Sequence, residues 1–272
     1  MGLFRRLLGG FTGANDDITY TIHGATDKGR VRKGNEDYFL IQLDKKLFIV
    51  SDGMGGHNAG EVASLQATRA INRYLSGDLL GRILGDEERI KQEMMAGLNE
   101  ANRRVREMSR TDKGYRGMGC TVAVALIDGN QLHLCHLGDS RAYLSNRSGI
   151  RLLTTDHSLV MSLVADGKMT ADEARESPIK NELTQAIGAM PKIEPGYSRH
   201  TIAHGDRLLL CSDGLWDMLS DAEIQRALRK HASARAACEA LIDQANEAGG
   251  KDNITAVVVT YQRGGFIRSY EQ

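Results

Sequence analysis

The sequence predicts an α+β fold in which helices cover the faces of antiparallel sheets. Strand-like and helical patterns each occur in consecutive groups along the chain rather than in strict alternation. Two runs rich in strand-forming residues, at 121–127 and 131–137, are separated by Asp128, Gly129 and Asn130, which favour a tight hairpin turn. Because consecutive strands joined by short turns run in opposite directions, antiparallel sheets follow.

The first part of the chain predicts three strands and then two helices. Alternating apolar residues at 18–22 indicate a strand, and short apolar runs at 38–41 and 47–50 indicate two more. Apolar residues then recur at helical spacing over 63–74 and again over 90–108. These two segments are expected to be amphipathic helices that pack on a sheet.

The second part of the chain continues the same pattern. The residues at 141–144 predict a third strand in the run that begins with the hairpin, and 158–188 contains short helical pieces interrupted by turn-forming residues. Strands are expected at 206–211 and 254–261, on either side of a helical region at 221–247.

The chain is expected to form one domain, over residues 18–262. No segment rich in Pro, Gly or Ser divides that range. Residues 1–17 combine a small apolar and basic cluster with a Gly, Asn and Asp stretch, and we interpret them as a loosely ordered extension. Residues 263–272 are interpreted as a C-terminal tail.

Composition excludes several functional classes. Hydrophobic residues make up 41% and charged residues 26%, which excludes a mainly disordered chain. The 35 basic and 35 acidic residues give a net charge of +0, so nothing in the overall charge favours a nucleic-acid partner. No apolar run is long enough to predict a transmembrane segment. With four cysteines in no CxxC pair and no signal peptide, a cytoplasmic protein with reduced cysteines is expected. We expect it to be a monomer.

Acidic residues recur at the ends of the predicted strands. Apolar strands run directly into Asp52 and Gly53, into Gly138 and Asp139, and into Asp213 and Gly214. Further acids precede or open other strands. The complete set of acids at strand termini is Glu36, Asp37, Asp52, Asp139, Asp213 and Asp252.

Such a set of carboxylates predicts a site for divalent cations. Carboxylates gathered at the ends of buried strands repel one another unless cations neutralise them, and oxygen ligands suit Mg²⁺ or Mn²⁺. Two such ions can share a carboxylate and convert a bridging water to hydroxide, which attacks phosphorus. Arg32 is a candidate phosphate ligand because its planar guanidinium can contact two phosphate oxygens. Arg30 and Lys33 are the nearby alternatives.

Motifs for other chemistries are missing from the sequence. It contains no GxSxG, GxxxxGK[ST] or GxGxxG pattern, so serine hydrolases, P-loop nucleotidases and dinucleotide-binding enzymes have no support.

Seven short motifs resemble, in order, those of the PPM (protein phosphatase type 2C) family of metal-dependent serine/threonine phosphatases in its compact bacterial form. The resemblance covers about residues 24–260. The motifs are RKGNED at 32–37, DGMGG at 52–56, GMGCT at 117–121, GDSR at 138–141, DHS at 156–158, SDG at 212–214 and DN at 252–253.

The resemblance implies an αββα sandwich, in which two antiparallel sheets pack face to face between helices and hold metals at one edge. It implies that Asp52 bridges two metal ions and that Asp213 and Asp252 complete one site. The other site would use Glu36 and the carbonyl of Gly53.

Further site roles also follow from the resemblance. Asp37 would hold a metal-bound water, and Asp139, with Asp213, would form a third, weaker metal site. Arg32 matches the phosphate-binding arginine, which makes Arg32 and Asp52 the expected catalytic residues. A flap over 159–187 would lie beside the cleft.

The implied activity is hydrolysis of phosphoserine and phosphothreonine in proteins by hydroxide bridging two Mn²⁺ or Mg²⁺ ions, in opposition to a Ser/Thr kinase. The alternatives are a catalytically silent binding module of the same fold and another two-metal phosphoester hydrolase. One departure concerns the proton donor. Many eukaryotic members carry a histidine where this chain has Met54, whose thioether cannot donate a proton, and His57 lies three residues on.

Overall fold

The structure is a computed structural model that describes residues 18–55 and 59–263. In this part of the chain it contains twelve strands, and their bounds are β1 Ile18–Asp27, β2 Tyr38–Gln42, β3 Leu47–Ser51, β4 Gly53–Met54, β5 Gly119–Cys120, β6 Val122–Asp128, β7 Gln131–Leu137, β8 Arg141–Asn146, β9 Gly149–Leu152, β10 Gly196–Thr201, β11 Arg207–Cys211 and β12 Ile254–Arg263. The helices described are α1 Ala59–Tyr74, α2 Gly77–Ile83, α3 Glu87–Thr111, α4 Leu159–Ala165, α5 Ala171–Glu176, α6 Asp213–Trp216, α7 Asp221–Lys230 and α8 Ala234–Glu247, with a short 3-10 helix at Lys113–Tyr115.

The strands form two five-stranded sheets and one small ribbon. One sheet has the order β1-β12-β11-β8-β9, the other has the order β10-β7-β6-β3-β2, and β4 pairs with β5. Every strand pair is antiparallel. The predicted α+β class and the αββα sandwich are confirmed.

Three apolar layers hold the sandwich together, because the central strands are buried on both faces. In β3, Leu47 and Ile49 pack toward α1 and α3, while Phe48 and Val50 pack toward the opposite sheet. The β1-β12-β11-β8-β9 sheet likewise faces the other sheet on one side and α7 and α8 on the other. Alternate side chains therefore serve different layers, which explains the continuous apolar runs in the sequence.

Most helices begin where a side chain satisfies a free backbone N–H of the first turn, as capping chemistry predicts. The capping residues are Ser76 for α2, Asp86 for α3, Ser158 for α4, Thr170 for α5, Ser220 for α7 and Ser233 for α8.

The strand register places the predicted acids at one end of the sandwich. The end of β3 pairs with the start of β2 through Ser51 and Tyr38. In the other sheet, Cys211 at the end of β11 pairs with Arg141 at the start of β8 and with Ala256 in β12. Strand ends and strand starts therefore alternate along the same edge, and the acids that flank them meet there.

The segment predicted as a third strand of the hairpin run is a strand, but the expected pairing is wrong. Residues 141–144 lie in β8, which pairs with β9 and β11 in the opposite sheet. The chain leaves β7 at Leu137 and crosses between the sheets through Gly138, Asp139 and Ser140. The short connection after β7 therefore joins strands of different sheets, and β8 lies in the sheet that faces β7.

Several predicted segments fall partly or wholly outside the described residues. These are the extension at 1–17, the tail beyond residue 263 and His57. In the part of the chain that the structure describes, there is no helix with the length and apolar character needed to span a membrane.

The crossover between β7 and β8 depends on a glycine. Gly138 has φ +90, and a Cβ at this position would lie 2.5 Å from the Thr121 side chain. Thr121 is buried and its Oγ1 lies 2.6 Å from Ser140 Oγ, so it has little room to move. A residue with a side chain at position 138 would therefore have a strained positive φ and would also overlap with Thr121.

We expect Gly138→Ala to destabilise the protein by about 2 kcal/mol and to lower Tm by about 4–8 °C. Thermal unfolding followed by circular dichroism measures the change. Gly81→Ala is the matched control, because a Cβ there meets nothing within 4 Å and the residue lies in α2. Equal melting temperatures for the two variants would show that the crossover tolerates a side chain.

Candidate metal centre

The sequence-predicted acids come together at the shared end of the two sheets. Asp52 follows β3 directly, and its carboxyl interacts electrostatically with those of Asp37, Asp139 and Asp213. Asp213, at the first position of α6, interacts in turn with Asp252. One continuous group of carboxyls therefore forms from segments that are distant in the sequence.

Asp37 is the most firmly held of these acids. Its Oδ2 accepts hydrogen bonds from Thr255 Oγ1 at 2.6 Å and from Ser212 Oγ at 2.7 Å. Its Oδ1 is buried and has no donor among the described residues. Burial raises the pKa of Asp37, although the two hydroxyls oppose that change. The hydroxyls fix the carboxyl so that one oxygen is left to accept from another group.

Burial and crowding raise the pKa of the neighbouring carboxyls. For Asp52, burial is the larger cause, and the charges of Asp37, Asp213 and Asp139 add to it. Burial also raises the pKa of Asp139 and Asp213, with further contributions from Asp213 and Asp252 respectively. The ionised form of this group is costly in free energy without a compensating cation.

Glu36 lies against the first turn of α1. Desolvation raises its pKa, while the charge of Arg32 and the backbone of Gly60 oppose the increase. The backbone N–H of Gly53 donates to the Glu36 carbonyl at 3.1 Å. A Cβ on Gly53 would lie 2.2 Å from the Gly60 carbonyl oxygen, so only glycine fits here. This close packing brings the backbone of Gly53 beside the Glu36 carboxylate.

Arg32 faces the acidic group from the loop before β2. Its Nη2 lies 2.5 Å from Asp252 Oδ2, and the charges of Asp213 and Asp52 also act on it. The ion pair is partly solvated, because the Arg32 and Asp252 side chains are 53% and 31% exposed. Among the described residues, Arg32 is the candidate cation that forms an ion pair with the acidic group, and neither Arg30 nor Lys33 forms one there.

Asn253 joins the loop before β2 to the start of β12. Its side-chain amide donates to the carbonyls of Lys28 at 3.0 Å and Gly34 at 2.9 Å. Its Oδ1 accepts from the Glu36 N–H at 2.8 Å. Because Asn253 follows Asp252 in the chain, one buried side chain sets the positions of both Asp252 and Glu36.

Asp139 is buried beside a second charged group. The indole N–H of Trp216 donates to the Asp139 carbonyl at 3.0 Å. Arg141 lies 3.6 Å from the centroid of the Trp216 ring and binds Asp156, with Nη2 2.6 Å from Oδ2. Arg141 therefore pairs directly with Asp156, while its charge also lowers the pKa of the Asp139 carboxyl against the larger effect of burial.

Met54 packs beside the small β4–β5 ribbon. A Cβ on Gly119 would approach the Met54 methyl carbon to 3.2 Å, so this side chain covers the ribbon. The structure thus places the Met54 thioether, which cannot donate a proton, against Gly119.

The candidate ligand atoms are of the kind that hard divalent cations such as Mg²⁺ and Mn²⁺ prefer. They are oxygens, and the Oδ1 atoms of both Asp37 and Asp213 are buried without a hydrogen-bond donor in the described residues. Within residues 18–55 and 59–263, however, no three acidic, histidine or cysteine side chains converge closely enough to hold an ion as they stand. Asp252 is turned toward its own partners, since its Oδ1 accepts from the Asn253 N–H and its Oδ2 from Arg32.

Comparison with known proteins identifies the family of this fold and site. The model of the protein phosphatase 2C family matches residues 28–257. The chain belongs to the protein phosphatase 2C family. A serine/threonine phosphatase stp from Listeria monocytogenes is 35% identical over 237 residues, which cover 86% of this chain and 93% of the relative.

Solved structures show the same fold. The serine/threonine phosphatase of S. agalactiae has a TM-score of 0.82 and 36% identity, covering 89% of this chain and 99% of the other. The catalytic domain of the serine/threonine protein phosphatase PstP, in complex with 2 manganese ions, has a TM-score of 0.76 and 32% identity, covering 90% of this chain and 99% of the other.

Sequence reasoning missed the side chains that orient the acids. Ser212, Thr255, Asn253 and Trp216 each contact a candidate site residue or its backbone. Ser212 and Asn253 belong to the SDG and DN motifs, but these motifs do not show which segments the two side chains contact. Thr255 and Trp216 lie in none of the seven motifs, and their contacts join segments far apart in the sequence.

We expect Asn253→Asp to weaken divalent cation binding by about tenfold and to reduce stability by about 2 kcal/mol. The substitution keeps the shape of the side chain but removes both N–H donors to Lys28 and Gly34. Calorimetric titration with Mn²⁺ and thermal unfolding measure the two effects. Asn130→Asp, in the exposed turn between β6 and β7, is the control. Unchanged Mn²⁺ affinity in Asn253→Asp would remove Asn253 from the supporting role.

Proposed function

We propose that this protein is a metal-dependent phosphatase that hydrolyses phosphoserine and phosphothreonine in proteins. The observation that carries the proposal is the group of carboxyls at one end of the sandwich, two of which have buried oxygens without donors. Membership of the protein phosphatase 2C family and the serine/threonine phosphatase names of the relatives support the substrate class. The manganese-bound relative supports the metal.

We assign each acid a role as a cation ligand from its position among the neighbouring acids. Asp52 is central and would be shared by two ions, Asp213 and Asp252 would complete one site, and Glu36 with the Gly53 carbonyl would serve the other. Asp139, which interacts with Asp213, would contribute with it to a third, weaker site. Rotation of Asp252 away from Arg32 would open its Oδ2 to a cation.

The bound cations would supply activation of water for direct attack on phosphorus, with no covalent phosphoenzyme. The residues of the chain would position the reactants. Arg32 projects over the acidic group and would exchange its contact with Asp252 for two oxygens of the substrate phosphate. Asp37, fixed by Ser212 and Thr255, would accept a hydrogen bond from water through its free Oδ1 and orient it.

The proton donor to the leaving group would not be residue 54. Met54 carries no titratable group. We therefore propose a water molecule as the proton donor. The Arg32 side chain is 53% exposed, so solvent can enter the site beside it.

The biological setting follows from the substrate class. We propose that residues 18–262 form one phosphatase domain that acts as a monomer in the cytoplasm and opposes a Ser/Thr kinase. Residues 159–187 would form its flap. This excursion leaves the sandwich at Leu159, whose N–H donates to Glu182, and returns where Ile187 pairs with Cys120.

Chelation of divalent cations should abolish turnover of a phosphothreonine peptide, and Mn²⁺ or Mg²⁺ should restore it. Asp52→Asn and Asp213→Asn should each lower kcat by at least about 100-fold while leaving the protein folded, because each removes a charged ligand. Phosphate release with and without EDTA, together with circular dichroism, tests this. Full turnover after exhaustive chelation would overturn the metal-dependent proposal.

Arg32→Ala should raise KM for phosphopeptides by about tenfold through loss of a charge-assisted contact to phosphate. Arg32→Lys should restore little, since an ammonium cannot make the bidentate contact. Steady-state kinetics on one peptide compares them with Arg30→Ala, the neighbouring control. An effect confined to Arg30→Ala would show that the phosphate ligand is Arg30.

A further inference from the structure

A groove runs along the second half of α3, on the layer outside the β10-β7-β6-β3-β2 sheet. Its volume is about 550 Å³, and its lining includes Asn102, Arg103, Arg106, Glu107, Arg110 and Pro191. We call it the α3 groove. None of these residues belongs to the candidate metal centre, so the groove needs a separate explanation.

The α3 groove lies in a strongly basic part of a chain that has no net charge. Residues 103–116 contain six basic and two acidic residues, whereas the whole chain has 35 of each sign. The basic residues are Arg103, Arg104, Arg106, Arg110, Lys113 and Arg116. This concentration produces a local positive field that attracts acidic groups.

Two of the arginines in the groove lack acidic partners. Arg103 is neutralised, since its guanidinium lies 2.7 Å from Glu100 and 3.2 Å from Glu107. Arg106 and Arg110 form no ion pair or hydrogen bond with the described residues. They are four positions apart on the helix, where like charges face each other and repel. An acidic ligand between them would relieve this repulsion.

Asn102 of α3 connects the α3 groove to the segment that contains Pro191. Asn102 is buried, and its side chain donates to the Met190 carbonyl at 3.0 Å and accepts from the Gly188 N–H at 2.8 Å. The adjoining Ile187 pairs with Cys120 of β5, which pairs with Gly53 of β4. Backbone pairing therefore connects the segment beside the α3 groove with β4, which begins directly after Asp52.

We propose that the α3 groove is a docking site for an acidic segment of the phosphoprotein substrate, separate from the residue that carries the phosphate. The proposal rests on the proposed phosphatase function. A polypeptide fits better than a nucleic acid, because it can place acidic side chains at Arg106 and Arg110 and an uncharged residue beside Glu107, whereas a phosphate backbone is charged at every position. A concave groove also favours individual side chains over a flat membrane surface. Docking there would raise the local concentration of the phosphorylated residue at the metal centre.

Binding of a fluorescein-labelled, unphosphorylated Asp/Glu peptide to the full chain tests the groove independently of turnover. Fluorescence polarisation at low salt should detect binding that weakens as salt screens the charges. Arg106→Glu/Arg110→Glu should weaken it by at least about tenfold, and Arg106→Gln/Arg110→Gln should weaken it less. Arg226→Glu/Lys230→Glu is the matched control, since these residues have the same spacing on α7.

Three binding results would overturn the proposal. They are no peptide binding by the wild-type chain at low salt, equal loss in the α3 and α7 variants, and tighter binding of an oligonucleotide or of anionic phospholipid vesicles through Arg106 and Arg110. Thermal unfolding of each variant identifies any loss that is due to misfolding, and the neutral glutamine variant keeps the test valid if the charge reversal unfolds α3.

Kinetics then connects the groove with turnover. The experiment compares two peptide substrates that share a phosphothreonine sequence and a flexible linker. In one peptide the linker is followed by an Asp/Glu segment, and in the other by an Asn/Gln segment. The wild-type protein should have a kcat/KM about tenfold higher for the acidic peptide, because its KM for that peptide is lower. Arg106→Glu/Arg110→Glu should abolish this difference and leave turnover of p-nitrophenyl phosphate unchanged. Equal kcat/KM for both peptides overturns docking during catalysis. Failure to hydrolyse either peptide would instead contradict the phosphatase proposal, and the binding result would still stand.

Discussion

Mutual repulsion among carboxyls is the constraint on which the rest of this structure depends. Asp52 lies within electrostatic reach of Asp37, Asp139 and Asp213, and burial raises the pKa of each. The sandwich holds them together because its strands are anchored by apolar layers on both faces, and each fully buried aliphatic side chain there contributes roughly 1.5–3 kcal/mol. The core therefore stabilises an end of the molecule that electrostatics alone would separate.

The fold was predictable from sequence wherever a strand was buried on both faces. The runs at β3, β6, β11 and β12 are mostly apolar because alternate residues enter different cores, whereas β7 carries His133 and His136 between its apolar residues. The polar edge strand β10 has the sequence GYSRHT and was missed, since it is half-exposed and lacks such a run. The two-residue β4 was missed because backbone pairing with β5, rather than side-chain pattern, defines it.

The acids of the site were predictable from sequence, but the groups that orient them were not. An aspartate that ends an apolar strand is visible in the sequence, as at Asp52 and Asp213. The hydroxyls that hold Asp37 come from Ser212 and Thr255, which are 175 and 218 residues away. Such contacts are set by the register of β11 against β12, and single-sequence patterns contain no information on register between distant strands.

The contact between Arg32 and Asp252 shows how the site can be well ordered and still receive a ligand. Both side chains are substantially exposed, at 53% and 31%, so the pair contributes only about 0–1 kcal/mol. A phosphate group carries more charge than one carboxylate and offers two oxygens to the planar guanidinium, which makes it the stronger partner. Arg32 can therefore leave Asp252 at little cost in free energy. The buried Arg141–Asp156 pair, with side chains only 17% and 7% exposed, is too costly to break in this way and is suited to a fixed structural role.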